Sequence, residues 1–175
     1  MTTCYTIGHS NYRSETFVAM LVLQGVDVII DVRSIPYCGY ATWFNRERLQ
    51  HCLEVNGISY IWMGDCLGGK AGSDGFDEAL ERVVSACRVS RVALMCGEKD
   101  PLECHRFSLL TYALADKGVE ANHLLEGGGS CTTRELEERL LVSLDSDYRQ
   151  LNLFAPQLGR KEAVRDALQQ RAWAG

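Results

Sequence analysis

Residues 26–32, VDVIIDV, are a nearly continuous run of apolar, mostly β-branched side chains. Such a run suits a strand covered on both faces, and strands of that kind belong to parallel sheets flanked by helices. The chain is therefore held to an α/β fold if helical segments alternate with runs like this one. They do. CYTIGH at 4–9, ISYIWM at 58–63, RVALMC at 91–96 and VEANHLL at 119–125 read as further strands. Between them SETFVAMLVLQG at 14–25, NRERLQHCLEVNG at 45–57, FDEALERVVSAC at 76–87 and DPLECHRFSLLTYALADKG at 100–118 read as helices. Ser14 and Asp100 are good N-caps, Pro101 suits a first helical position, Glu103 extends a capping-box-like pattern, and Gly25 and Gly118 are stop signals. After the turn GGG at 127–129, TTRELEERLLVSL at 132–144 and RKEAVRDALQQRAW at 160–173 read as two more helices.

The expected fold is a single-domain, Rossmann-like parallel sheet of about five strands. The order 3-2-1-4-5 satisfies right-handed crossovers. Residues 1–130 would form the core and 131–175 a C-terminal helical extension packing on it. The chain has 175 residues, 46% of them hydrophobic, enough for one well-filled core. It has no apolar run of membrane-spanning length, and its start lacks the basic and apolar regions of a secretory signal. The expectation is a cytoplasmic protein with no membrane partner. A net charge of −5 excludes non-specific coating of DNA by the overall field, but allows a local cationic cleft.

Open parallel sheets bind ligands beyond the carboxyl ends of their strands. At that end the chain places Gly8, His9 and Ser10 after the first strand and Asp31 and Arg33 after the second. Gly68, Gly69 and Lys70 follow the third, and Cys96, Gly97 and Glu98 the fourth. Cys96 ends a strand just before a helix start, where backbone N–H groups and nearby cations favour a thiolate. Cys104, His105 and Arg106 lie one turn in, and at helical spacing they cannot all face one way. Each has a plainer reading: Cys96 as the end of a buried strand, Cys104 as core, His105 and Arg106 as a solvated helix face. Of the other cysteines, Cys4, Cys52 and Cys87 fall in apolar-periodic segments and read as small buried hydrophobes. No Cys-x-x-Cys pair occurs; some of the Cys, His and Glu residues could hold a metal, but the spacing specifies none, and the cofactor stays open.

YTIGHSN, IIDVR, GISYIWMGDCLGG and MCGEKDPLECHR, in this order from about residue 4 to 125, resemble the domain of unknown function 488 family. Cys-x-Glu followed by Cys-His-Arg is the most specific part. The resemblance implies a small cytoplasmic α/β domain and no settled reaction. It places the family's recurring polar positions on His9, Asp31, Arg33, Cys96, Glu98, Cys104, His105 and Arg106. A weaker likeness is to rhodanese and cysteine-phosphatase domains, with Asp-x-Arg after one strand and a cysteine at the end of another. Here Arg106 comes ten residues after Cys96, and Glu98 would repel an anion near the loop.

The expected function is an enzyme of nucleotide or nucleic-acid metabolism, a hydrolase or transferase on a phosphate-bearing substrate. His9, Cys96 and Glu98 would be its catalytic residues. Asp31, Arg33, His105 and Arg106 would bind the substrate. A rhodanese- or phosphatase-like cysteine enzyme and a non-catalytic nucleotide or nucleic-acid sensor are the alternatives.

One further stretch points to DNA maintenance. Gln150, Leu151, Asn152, Leu153 and Phe154 resemble the peptide by which bacterial replication and repair proteins dock on the sliding clamp. Leu153 and Phe154 would be apolar anchors and Gln150 a polar contact. The plainer reading packs Leu151, Leu153 and Phe154 on the sheet. If the peptide docks, the protein binds its own organism's clamp, and Leu153→Ala and Phe154→Ala each weaken binding at least about tenfold. Clamp binding unaffected by either substitution, measured by surface plasmon resonance, removes this link to DNA.

Overall fold

The computed structural model describes residues 2–69, 74–143 and 160–173, arranged as two compact units, Met1–Cys131 and Thr132–Gly175. Lys70 and the peptide at 150–154 lie outside the described residues.

The first unit is built on a sheet with strands β1 Thr2–Gly8, β2 Val28–Asp31, β3 Ser59–Trp62, β4 Val92–Cys96, β5 Val119–Leu124 and β6 Ser130–Thr132. The strand order is β3-β2-β4-β1-β5-β6. β1 pairs in parallel with β4 and β5, and β2 with β3 and β4. β6 follows β5 through a tight turn closed by Leu125 N–H donating to the Gly129 carbonyl at 2.8 Å, a connection too short for anything but an antiparallel return.

The α/β class is as expected, but the order 3-2-1-4-5 is not what forms, and there are six strands rather than five. β4 inserts between β1 and β2. β4 is apolar throughout and β2 is apolar up to Asp31, so either suits a central position, and local pattern does not rank them.

Helices α1 Ser14–Leu23 and α2 Arg46–Glu54 cover one face of the sheet through Phe17, Leu21, Leu49 and Leu53. A four-residue turn, α3 Gly64–Leu67, follows β3. Helix α4 Phe76–Cys87 and the helix before β5 cover the other face. α4 buries Phe76, Ala79, Leu80, Val83, Val84 and Cys87, one stripe at helical period. Each of its larger apolar side chains contributes about 2 kcal/mol of burial.

The chain leaves β1 towards the β2 edge over one face, and leaves β4 towards the β5 edge over the other. β1 and β4 are neighbours, so the connections part between them. This is the crevice where an open parallel sheet receives a ligand.

The expected helix over 100–118 is broken. Pro101–Glu103 is a single 3-10 turn, Cys104 is extended (φ −131°, ψ 143°), Arg106–Thr111 is a π-helical turn, and only Tyr112–Asp116, α5, is α-helical. The cap signals are real: the Asp100 side chain accepts the Leu102 N–H at 3.0 Å. They start one turn, and the chain then straightens.

The second unit contains α6 Thr133–Ser143 and α7 Arg160–Trp173, which contact each other. α6 opens on a capping box. Glu135 N–H donates to Thr132 Oγ1 at 3.2 Å, and Thr132 N–H to Glu135 Oε2 at 2.7 Å. Among the described residues no helix is long and apolar enough to cross a membrane.

Gly8 ends β1 against the loop after β4. A Cβ there would run into the Glu98 carbonyl and sit 2.9 Å from Arg106 Nη1. Gly8→Ala should therefore destabilise the protein by about 3 kcal/mol or more, while Gly39→Ala, with open space around its Cβ, should change stability by less than about 0.5 kcal/mol. Urea unfolding of the two variants checks this.

Candidate functional site

Register sets the floor of the site. Gly8 lies beside Cys96, and Asp31 beside Met95. Past the strand ends, His9 N–H donates to the Cys96 carbonyl at 2.9 Å and Ser10 N–H to the Gly97 carbonyl at 2.8 Å. Ser10 is the only non-glycine residue with positive φ among those described (47°), a conformation held by this strap between two loops. The result is a cleft of about 710 Å³ at the carboxyl ends of the strands.

Arg33 is the fixed cation of the cleft. Asp31 is fully buried and receives Arg33 Nε at 2.9 Å and Nη2 at 2.6 Å. It also accepts the Tyr60 hydroxyl at 2.7 Å. Arg33 Nη2 donates to the Phe44 carbonyl at 2.9 Å, and Nη1 to His9 Nε2 at 3.1 Å. Four of the five N–H donors are thereby used, and the fifth, on Nη1, is left for the cleft that Arg33 lines. Burial alone would lower the Arg33 pKa, but the hydrogen bond and charge of Asp31 outweigh it and raise it.

His9 is 3% exposed and stacks on Phe44 at 4.4 Å. Its Nδ1–H donates to the Ser10 carbonyl at 2.7 Å, so Nε2 carries the lone pair that accepts from Arg33. Burial, then the Arg33 charge, lower its pKa to about 4. With both ring nitrogens engaged, His9 is placed to orient Arg33 rather than to carry protons.

On the other wall, Cys96, Cys104 and His105 meet. His105 Nδ1 is 3.8 Å from Cys96 Sγ and 3.7 Å from Cys104 Sγ. The three atoms lie within 4.8 Å of one another and are a set that could hold a metal ion. The helix break permits this. Consecutive side chains on a continuous helix diverge by about 100°, whereas extended Cys104 followed by helical His105 aims both at one point. Cys104 Sγ also accepts the Arg106 N–H at 3.5 Å.

Arg106 turns the other way. It is fully buried, donating Nη1 to the Glu98 carbonyl at 2.6 Å and Nη2 to the Lys99 carbonyl at 3.0 Å. The pKa of Cys96 is lowered to about 4, first by a hydrogen bond from the Cys104 thiol and then, against burial, by His105 and Arg106. That of Cys104 is raised by the same hydrogen bond and by burial.

The structure thus brings His9, Arg33, Cys96, Glu98 and His105 to one cleft, and sets Asp31 and Arg106 behind its walls. The sequence reading left Cys104 out of the site and, while it set the loop SIPYCGYATWF after the second strand at this end of the sheet, it gave none of that loop's residues a role. Tyr37, Cys38 and Tyr40 line the cleft, Tyr37 and Tyr40 being 54% and 73% exposed. Cys38 is a second thiol with a lowered pKa. Burial opposes the shift, and the Ala41 and Tyr40 backbone produces it. The loop's position after a strand was the available signal.

The chain belongs to the family described as Domain of unknown function DUF488, whose model matches residues 13–77 and 69–113, together more than half of the chain. Asp31, Arg33, Cys96 and the Cys104–His105–Arg106 triplet fall within the match, and His9 precedes it. No curated protein and no solved structure matches the chain.

With a chelator present, Cys96 should be the thiol that iodoacetamide labels first at pH 6. A depressed pKa makes it thiolate there, whereas most other thiols, Cys104 included, gain reactivity only as pH rises. Mass spectrometry of the labelled peptides decides, with Cys38 as the competitor.

Proposed function

We propose that this chain is an enzyme of nucleotide or nucleic-acid metabolism, a hydrolase or transferase whose cleft takes a phosphate-bearing substrate. Arg33 holds the phosphate, Glu98 is the general acid or base, and the Cys96–Cys104–His105 cluster is the reacting centre. The observation that carries this reading is the unused Nη1 donor of a rigidly braced guanidinium, on the same cleft as the cluster. A planar, permanently charged donor that needs no reorganisation suits a phosphate oxygen.

The rim supports the nucleotide class. Ile35, Tyr37 and Tyr40 stand exposed on the loop after β2, beside the anion position, where aromatic faces can stack on a base. The rhodanese- or phosphatase-like alternative needs an arginine curling back to the cysteine's anion, and Arg106 instead spends its Nη donors on the Glu98 and Lys99 carbonyls. The narrower role in DNA maintenance rests on the peptide at 150–154.

Calorimetric titration with nucleoside monophosphates and the matching nucleosides tests the reading. The phosphate should improve affinity, and Arg33→Lys, which loses the fork, should remove about 10- to 100-fold of it. Tyr40→Ala, on an exposed side chain that cannot unfold the core, should weaken binding at least about fivefold. Nucleoside and nucleotide binding equally, or neither binding, overturns the proposal. Binding without any change to the ligand on long incubation leaves a sensor instead of an enzyme.

A further inference from the structure

We infer that Cys96, Cys104 and His105 form a zinc site with one coordination position open to the cleft. Tetrahedral zinc with bonds of about 2.3 Å to sulfur and about 2.1 Å to nitrogen puts the sulfur–nitrogen edge near 3.6 Å and the sulfur–sulfur edge near 3.8 Å. The observed sulfur–nitrogen separations are 3.8 and 3.7 Å, and all three donors lie within 4.8 Å of one another. The sulfur–nitrogen edges match to within a few tenths of an ångström, and the two sulfurs, less than 4.8 Å apart, need close by no more than about 1 Å to take up an ion.

The backbone is shaped for it. Cys96 is fixed by the last pairing of β4 with β1. Cys104 and His105 supply adjacent ligands only because the chain is extended at one and helical at the next. The donor set selects the metal. Two soft sulfurs and an imidazole, with no carboxylate among them, disfavour magnesium and calcium and suit zinc. Both cysteines are nearly buried, at 7% and 5% exposed. Structural zinc closes its shell with four protein ligands, whereas three ligands with an open position are the catalytic pattern. All three residues line the cleft, so the open position faces the space that Arg33 also lines. A water held there is acidified towards neutrality, which supplies a hydroxide for hydrolysis. For that role of the open position the inference rests on the phosphate-substrate reading above; the metal site itself does not.

The test is elemental analysis of the full chain, purified without a metal-binding tag and then exposed to zinc and desalted. Wild type should retain about one zinc per chain, and Cys104→Ser and His105→Ala should each lower retention about tenfold or more. Cys52→Ser, on a thiol outside the cluster, should retain the wild-type amount. Cobalt added to chelator-treated wild type gives a readout that no folding defect of a variant can imitate. It should produce the thiolate-to-cobalt charge-transfer band and the strong visible bands of four-coordinate cobalt. Wild type holding less than about a tenth of a zinc per chain, with no cobalt–thiolate band, overturns the inference, as does retention unchanged in Cys96→Ser and Cys104→Ser. Zinc retained without nucleotide binding leaves the metal site standing and removes the phosphate reading; phosphate-dependent binding by a protein that takes up no metal does the reverse.

Discussion

The site depends on a buried guanidinium that never reaches it. Arg106 is fully buried, and two carbonyls of the loop after β4 receive its Nη donors. Burying a cation still costs several kcal/mol after relaxation, and the two carbonyls offset that cost at the Nη ends, while Nε is buried with no hydrogen-bond partner. Meeting that demand draws the Glu98 and Lys99 carbonyls inward and leaves no room for a side chain at Gly8. The loop then runs over the end of β1 instead of away from it, and the His9 and Ser10 amides strap onto the Cys96 and Gly97 carbonyls. The position of the Cys96 sulfur follows from this closure.

Arg33 solves the same problem with the opposite result. Asp31, itself braced by Tyr60, neutralises it, and His9 and the Phe44 carbonyl take further donors. One donor remains for the cleft. The two arginines divide the work: one fixes the loop from within, the other presents charge to the cleft. An acidic chain can bind an anion this way, because a single braced guanidinium acts at contact distance while the net field of the protein is screened within about 10 Å.

Much of this was legible in the sequence. Alternating apolar runs and helical periods gave the α/β class, and the pile-up of polar residues after the strands marked the end of the sheet where the cleft lies. His9 was recognisable as an abrupt polar exit from a strand. Its part was not, because the lone pair on Nε2 is committed only when Arg33, at the exit of β2, reaches across the end of β4 to the exit of β1. The strand order was illegible for a related reason. β2 and β4 both read as buried apolar runs, and the choice of neighbour lies in crossovers that no local period records. Tyr37, Cys38 and Tyr40 were given no role, although their loop was placed at the right end of the sheet, because a loop's residues show no period that tells which of them face a cleft.

The misread helix shows how a correct local signal can hide a functional one. Asp100, Pro101 and Glu103 are true start signals, and Asp100 does cap. Had the helix continued, Cys104, His105 and Arg106 would have spread about 200° around it, and at most two could have faced the cleft. Ending the first turn after three residues lets Cys104 extend, and the π-helical turn that follows begins at Arg106. Three consecutive residues then part cleanly: sulfur and imidazole to the cleft, guanidinium to the core. A π-helical turn is a costly way to build a helix and tends to sit where function needs it. Here it begins at the residue whose burial holds the loop, directly after the two side chains that the loop presents to Cys96.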